Sequence, residues 1–150
     1  MQGLGTDDVE RIRNSFDHVW SISAGTADLF YGRLFEIAPE TRPLFRRGMD
    51  EQKRKFMSTL AVIVGSLDDN SKLTTLTETL ARQHDRYGIL PAHYALVGEA
   101  LLWRLERGLG EHWTPGVAAS WTKAYGIVST FMIEHGARKG LASGTPWIRR

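Results

Sequence analysis

The apolar residues of this chain return at intervals of three and four, segment after segment, and no other feature constrains its fold as strongly. Val9, Ile12, Phe16 and Val19 form one such stripe, and Phe56, Leu60, Ile63 and Leu67 form another. Tyr94, Val97, Leu101 and Leu105 repeat the pattern, as do Val117, Trp121, Tyr125, Val128 and Met132. Recurrence at this spacing puts one side of a helix against a core. No two-residue alternation is sustained long enough to suggest a sheet. The expected fold class is all-α.

Breakers between the stripes set the element ends. Thr6 followed by Asp7 and Asp8 suits a helix start, with negative charge near the positive end of the dipole. A second helix is expected from about Ser23 to Ala38, burying Ala27, Phe30, Tyr31, Leu34 and Phe35. Pro39 and Pro43 then bracket a short bend ending at Leu44-Phe45, Gly48 breaks the chain, and Asp50 can cap a third long helix. Ser71 is a candidate cap for the helix leading to His84, which Gly88 ends. Pro91 opens the next helix, where its missing amide proton costs nothing. Gly108 and Gly110 close that helix, and Thr114-Pro115 starts the last long one. From Gly136 onward the chain is rich in Gly, Ser, Arg and Lys. The expected division is one domain over residues 1–136 and a flexible tail over residues 137–150. A chain of 150 residues can bury roughly 70% of its unfolded surface, enough for a core with an internal pocket.

Composition removes several classes of chemistry. There are no cysteines, which excludes disulfides, thiolate catalysis, iron–sulfur clusters, zinc–thiolate sites and covalent c-type haem. A formal net charge of +2, with no block of five like charges, gives no reason to expect nucleic acid as a partner. The longest apolar run, Leu60 to Val64, is far short of a membrane span. Nothing at the start reads as a signal peptide. A cytoplasmic protein without a membrane partner is the expectation.

His84 is the residue with the most chemical reach. It lies one helical turn beyond Leu80, where a neutral imidazole can offer one ring nitrogen to a metal. Two readings follow: a helical bundle with no cofactor, or a haem pocket with an axial ligand, apolar walls and a shaped distal side. The other histidines, His18, His93, His112 and His135, have no metal-ligand spacing and read as surface or interface positions. Trp20, Trp103, Trp113 and Trp147 read as buried, or as an oligomer contact, so monomer and homodimer both stay open.

Three runs carry a family resemblance. They are Phe30-Tyr31-Gly32-Arg33-Leu34-Phe35-Glu36-Ile37-Ala38-Pro39-Glu40-Thr41-Arg42-Pro43-Leu44-Phe45, then His93-Tyr94-Ala95-Leu96-Val97-Gly98-Glu99-Ala100-Leu101-Leu102, then Ala119-Ser120-Trp121-Thr122-Lys123-Ala124-Tyr125-Gly126. In this order they resemble bacterial globins, the single-domain haemoglobins and the globin domain of flavohaemoglobins, from Asp8 to Ile133. The resemblance implies a globin fold, with helices packed around a non-covalent haem b. It places His84 as the proximal iron ligand, Leu80 against the haem and Phe45 stacked on the porphyrin. Tyr31 and Gln52 become the distal pair, and Phe56 stands where family members often carry leucine, narrowing the distal cavity. Tyr94 matches a tyrosine that hydrogen-bonds the proximal histidine, and Ile89 and Val97 complete the lining. The family's proximal glutamate falls here on Gly136. Glu134 lies about 200° away around the helix, so the relay that supports peroxidase-like chemistry is incomplete.

What the resemblance implies for function follows from the distal pair. A phenol donor stabilises a ligand that gains partial negative charge, as dioxygen does, more than carbon monoxide. Such a bond contributes about 1.5–3 kcal/mol, and Gln52 can donate as well or orient the hydroxyl. Reversible, tight dioxygen binding for storage or delivery is the favoured expectation, with nitric oxide, carbon monoxide and sulfide as further ligands. The alternative is a nitric oxide dioxygenase forming nitrate from nitric oxide and dioxygen. It would draw electrons from a separate flavin reductase, because the chain has no room for the flavin domain of flavohaemoglobins. Weak peroxidase activity and a gas sensor with its output on another chain are the remaining readings.

Overall fold

In the computed structural model, residues 4–20, 23–44, 49–86 and 91–143 are described, the side chains of residues 23, 24, 44, 84–86, 91 and 135–143 excepted. They form α1 (Thr6–Trp20), α2 (Ser23–Ile37), a 3-10 turn (Pro39–Leu44), α3 (Met49–Gly65), α4 (Asn70–Arg86), α5 (Pro91–Leu109), a second 3-10 turn (Gly110–His112) and α6 (Pro115–Ser143). No strand occurs among the described residues. The principal packings are α2 on α5, α4 on α6, α1 on α6 and α2 on α3. None of the described helices is long and apolar enough to cross a membrane.

The helical periodicity is borne out by what is buried. Val9, Ile12, Phe16 and Val19 of α1 all enter the core, as do Leu101 and Leu105 of α5 and Trp121, Val128 and Met132 of α6. Two polar groups on α1 tie it to α6. Ser15 is buried because its hydroxyl accepts the Trp121 indole N–H at 2.9 Å and donates to the Arg11 carbonyl at 2.7 Å. Asp8 accepts from the Gly5 amide at 3.1 Å, the Ser120 hydroxyl at 2.8 Å and the Lys123 ammonium at 3.0 Å. A second tie runs from α1 to the end of α3. There Arg13 donates to the carbonyls of Val64 and Gly65 and to both oxygens of Asp68. A guanidinium at the negative end of a helix dipole satisfies carbonyls that have no partner within the helix.

Several boundaries differ from the sequence reading. The cap of α4 is Asp69, whose carboxylate accepts the Lys72 amide at 3.0 Å. Ser71 lies inside that helix, and its carbonyl accepts from Thr75. An acidic side chain nearer the helix start makes the stronger cap because it also meets the dipole. Thr114 caps α6 as expected, accepting the Val117 amide at 3.1 Å. The backbone of α6 stays helical to Ser143, past Gly136 where composition alone places the tail. Gly110, at φ +54°, turns the chain out of α5 in the left-handed region that glycine enters without a Cβ penalty.

Gly98 sets how closely α5 meets α6. A Cβ there would fall 2.4 Å from the Tyr125 ring, and that ring is held by a 2.6 Å hydrogen bond from its hydroxyl to the Tyr94 carbonyl. Gly98→Ala is therefore expected to displace Tyr125 and lower unfolding stability by about 1–3 kcal/mol; an unchanged urea midpoint would contradict this contact. The Asp8 carboxyl is held down to about 2 from its ordinary 3.8, chiefly by the Gly5 amide, then by Ser120 and Lys123. Its stabilisation is thus complete above the ordinary value and disappears as pH falls from 3.8 towards 2. Asp8→Asn should lower stability at neutral pH and flatten the acid limb, read from unfolding midpoints across that window.

Candidate functional site

Helix α2 brings two aromatic residues inward together. Phe30 and Tyr31 are 2% and 4% exposed, side by side because the helix face toward α3 and α5 is broad enough to take consecutive positions. Opposite them, α3 presents Gln52 and Phe56, one turn apart. The Gln52 amide Nε2 donates to Tyr31 Oη at 3.1 Å. Phe56 stacks on Phe30 with ring centroids 4.3 Å apart and planes at 10°, and meets Tyr31 edge-on at 5.7 Å. Phe35 also packs against Tyr31, with ring centroids 6.0 Å apart. The result is a phenol in an aromatic box with one amide as its polar neighbour in α3.

That setting fixes the charge state of Tyr31. Burial pushes its phenol up to about 12, and the Gln52 hydrogen bond opposes the shift without cancelling it. The group is neutral at physiological pH and retains its proton. Since Oη accepts from Gln52, the hydroxyl proton is directed at an acceptor other than that amide.

The buried apolar residues fall into two clusters. Tyr31 belongs to the larger, with Phe56 and Val97 packed against it. Leu80 and Tyr94 belong to the smaller, with Ala81, Val128 and Met132. Ile63 packs against both. His84 lies in the last turn of α4, one turn beyond Leu80 and so on the same helix side; its side chain is outside the described residues. Phe45 and Ile89 are outside the described residues altogether. Of the residues singled out in the sequence, the structure brings together Tyr31, Gln52 and Phe56, and separately Leu80 with Tyr94.

The profile of one protein family, described as Globin, matches residues 28–132. This chain is a globin. The globin is 29% identical to neuroglobin of Tetraodon nigroviridis over 93% of its own length and 97% of that protein. It is 33% identical to a flavohemoprotein of Bordetella pertussis over 69% of its length, which spans 27% of that larger protein. Among solved structures, an engineered carbene transferase derived from a candidate nitric oxide dioxygenase of Rhodothermus marinus superposes with TM-score 0.85. It shares 26% identity and covers 95% of this chain and 99% of that one. A bacterial globin from Campylobacter jejuni shares the fold at TM-score 0.76 and 18% identity, over 89% of this chain and 97% of that one.

Membership of the family implies haem. The residues present fit that group: a buried neutral phenol paired to an amide, apolar side chains in two clusters, and a histidine at the end of α4. Glu134 is exposed on α6, beside Thr130 and Phe131 in an open groove facing Thr74 of α4.

Of the other described histidines, His18 and His112 are exposed, as the sequence reading has them, and His93 departs from it. His93 is buried instead of lying at the surface. His18 and His112 stack with ring centroids 4.1 Å apart. They are distant in sequence, so no local spacing could have signalled the pair. Arg13 was likewise unremarked, because carbonyl capping between helices leaves no pattern in either segment.

The Tyr31 phenol yields an alkaline prediction. Its folded value, about 12, exceeds the ordinary 10.0, so its contribution to stability is complete below pH 10 and is lost as pH rises towards 12. Tyr31→Phe should give a shallower loss of stability across that window. Parallel curves for the two proteins would contradict the burial of the phenol.

Proposed function

We propose that this globin binds dioxygen tightly and reversibly at a b-type haem, with Tyr31 and Gln52 on the distal side and His84 as the iron ligand. The observation that carries this reading is the 3.1 Å bond from Gln52 to Tyr31 Oη inside an aromatic box. The haem would supply a ferrous iron with one position open to a diatomic ligand. A non-covalent haem suits a chain without cysteine.

Each residue then has a distinct task. His84 would hold the metal from the end of α4, Leu80, Ile89 and Val97 would supply apolar lining, and Phe45 would stack on the ring, as the family resemblance implies. Gln52 occupies one lone pair of Tyr31 and so orients the phenol, whose O–H would be the donor toward the ligand. A hydrogen bond to a partially charged acceptor contributes about 1.5–3 kcal/mol, which favours dioxygen over carbon monoxide. Phe56, stacked on Phe30, narrows the approach to that proton. Tyr94 lies beside Leu80 in the smaller cluster, suited to orient the histidine.

A second reading is nitric oxide dioxygenation, with electrons from a separate flavin reductase. It is favoured by two comparisons: the structural likeness to the Rhodothermus marinus protein and the sequence likeness to a flavohemoprotein. The same Tyr31 donor serves both readings. They part on re-reduction, which a carrier does not need and a catalyst needs on every turnover. A flavin reductase that sustains nitrate formation over many turnovers would establish the second.

Stopped-flow ligand replacement tests the distal role. Tyr31→Phe should speed dioxygen release by about ten- to a hundredfold, and an unchanged rate would overturn it. His84→Ala should lose stable haem binding; retention of five-coordinate iron with native affinity would overturn the proximal assignment.

A further inference from the structure

Three buried side-chain atoms among the described residues have no hydrogen-bond partner: Thr26 Oγ1, Arg33 Nε and Arg104 Nε. All three lie on α2 and α5, two helices that pack against each other. Thr26 and Arg33 are seven residues apart on α2, two turns along one side. The Arg33 guanidinium lies 5.2 Å from the Trp103 ring of α5, which sets Arg33 beside the turn that carries Arg104.

Arg104 is the anomaly. It is 7% exposed, and among the described residues no carboxylate lies within ion-pair distance of it. The acids of α2 are engaged elsewhere, Asp28 with Lys53 at 2.7 Å and Glu36 with the Nη1 of Arg33 at 3.3 Å. Burial lowers the affinity of Arg104 for its proton, yet a guanidinium remains charged in proteins. Its Nε is enclosed without a partner, whereas its terminal nitrogens are not among the enclosed unpartnered atoms, so the charged end reaches the surface, where a ligand can meet it. The guanidinium lies across Gly108, where a Cβ would sit 3.5 Å from its central carbon. One turn on, Arg107 adds a third cation, its guanidinium 4.4 Å from the centre of the Trp103 ring.

We propose that the α2–α5 seam around Arg104 binds a small oxyanion of the phosphate class, with Arg104 as the principal ligand and Arg33 as a flanking one. Planar guanidinium groups present paired N–H donors to oxyanions of this kind. Arg33 shares its charge with Glu36, but Arg104 and Arg107 have no carboxylate partner among the described residues, and the positive excess they leave selects an anion over water as the missing partner. The site is separate from the Tyr31–Gln52 pair and does not depend on what occupies the haem side.

The test uses the full chain with haem bound and inorganic phosphate as the probe, at constant ionic strength. The wild-type Tm should rise with phosphate and the phosphorus resonance should broaden. Arg104→Met, which keeps the buried stem and removes the enclosed unpartnered Nε, should abolish both responses and unfold in phosphate-free buffer at a Tm no lower than that of wild type. Arg33→Gln, at a half-exposed position that tolerates exchange, should weaken the phosphate response several-fold. A wild-type response that persists undiminished in both variants would overturn the proposal, as would a wild type that shows neither response.

Discussion

A phenol buried among phenylalanines has two stable options, to be hydrogen-bonded or to be replaced. Tyr31 takes the first, and the bond from Gln52 is the interaction on which the rest of the interior is arranged. It fixes α3 against α2 at one register, because Gln52 must reach the Tyr31 oxygen while Phe56, one turn on, stacks against Phe30. The same bond orients a neutral donor whose proton is not used by Gln52. An apolar residue at position 52 would remove the hydrogen bond that Tyr31 accepts, and one at position 31 would remove the acceptor of the half-buried Gln52 amide, at a cost of about 1–3 kcal/mol.

The scaffold outside this pair serves to hold α2 and α3 in place. Asp8 and Ser15 secure α1 to α6, and Arg13 secures α1 to the end of α3. Gly98 lets α5 approach the Tyr125 ring, whose hydroxyl is bonded to the carbonyl of Tyr94. Each tie is polar, near a helix end or a close crossing, and each lies away from the aromatic box. Position is thus fixed by directional bonds at the periphery, while Phe30, Phe35 and Phe56 surround Tyr31 with aromatic rings.

Much of this was legible in the sequence. Helix identity followed from apolar spacing, since a period near 3.6 has no other common cause, and the burial of Val9, Ile12, Leu101 and Met132 agrees with it. Tyr31 and Gln52 were legible through the family resemblance, not through spacing, because they lie on different helices. The structure supplied their contact. What stayed hidden was long-range and polar: Arg13 on the α3 carbonyls, the stack of His18 on His112, the burial of His93 and the isolation of Arg104. Such contacts depend on how helices cross, and the periodicity of a single segment carries no information about crossing. The choice of Asp69 over Ser71 as the α4 cap turned on a helix start two residues earlier, a shift that apolar spacing does not resolve.

The central claim is that this globin holds a haem whose open face is governed by Tyr31 and whose iron is held by His84. The visible absorption spectrum of the purified protein, reduced with dithionite and then exposed to air, tests it most directly. The account predicts a strong Soret band, a five-coordinate ferrous spectrum on reduction and a stable dioxygen-bound spectrum in air. A protein with no Soret band even after haem is added, or one whose ferrous iron is already six-coordinate before air is admitted, would contradict it.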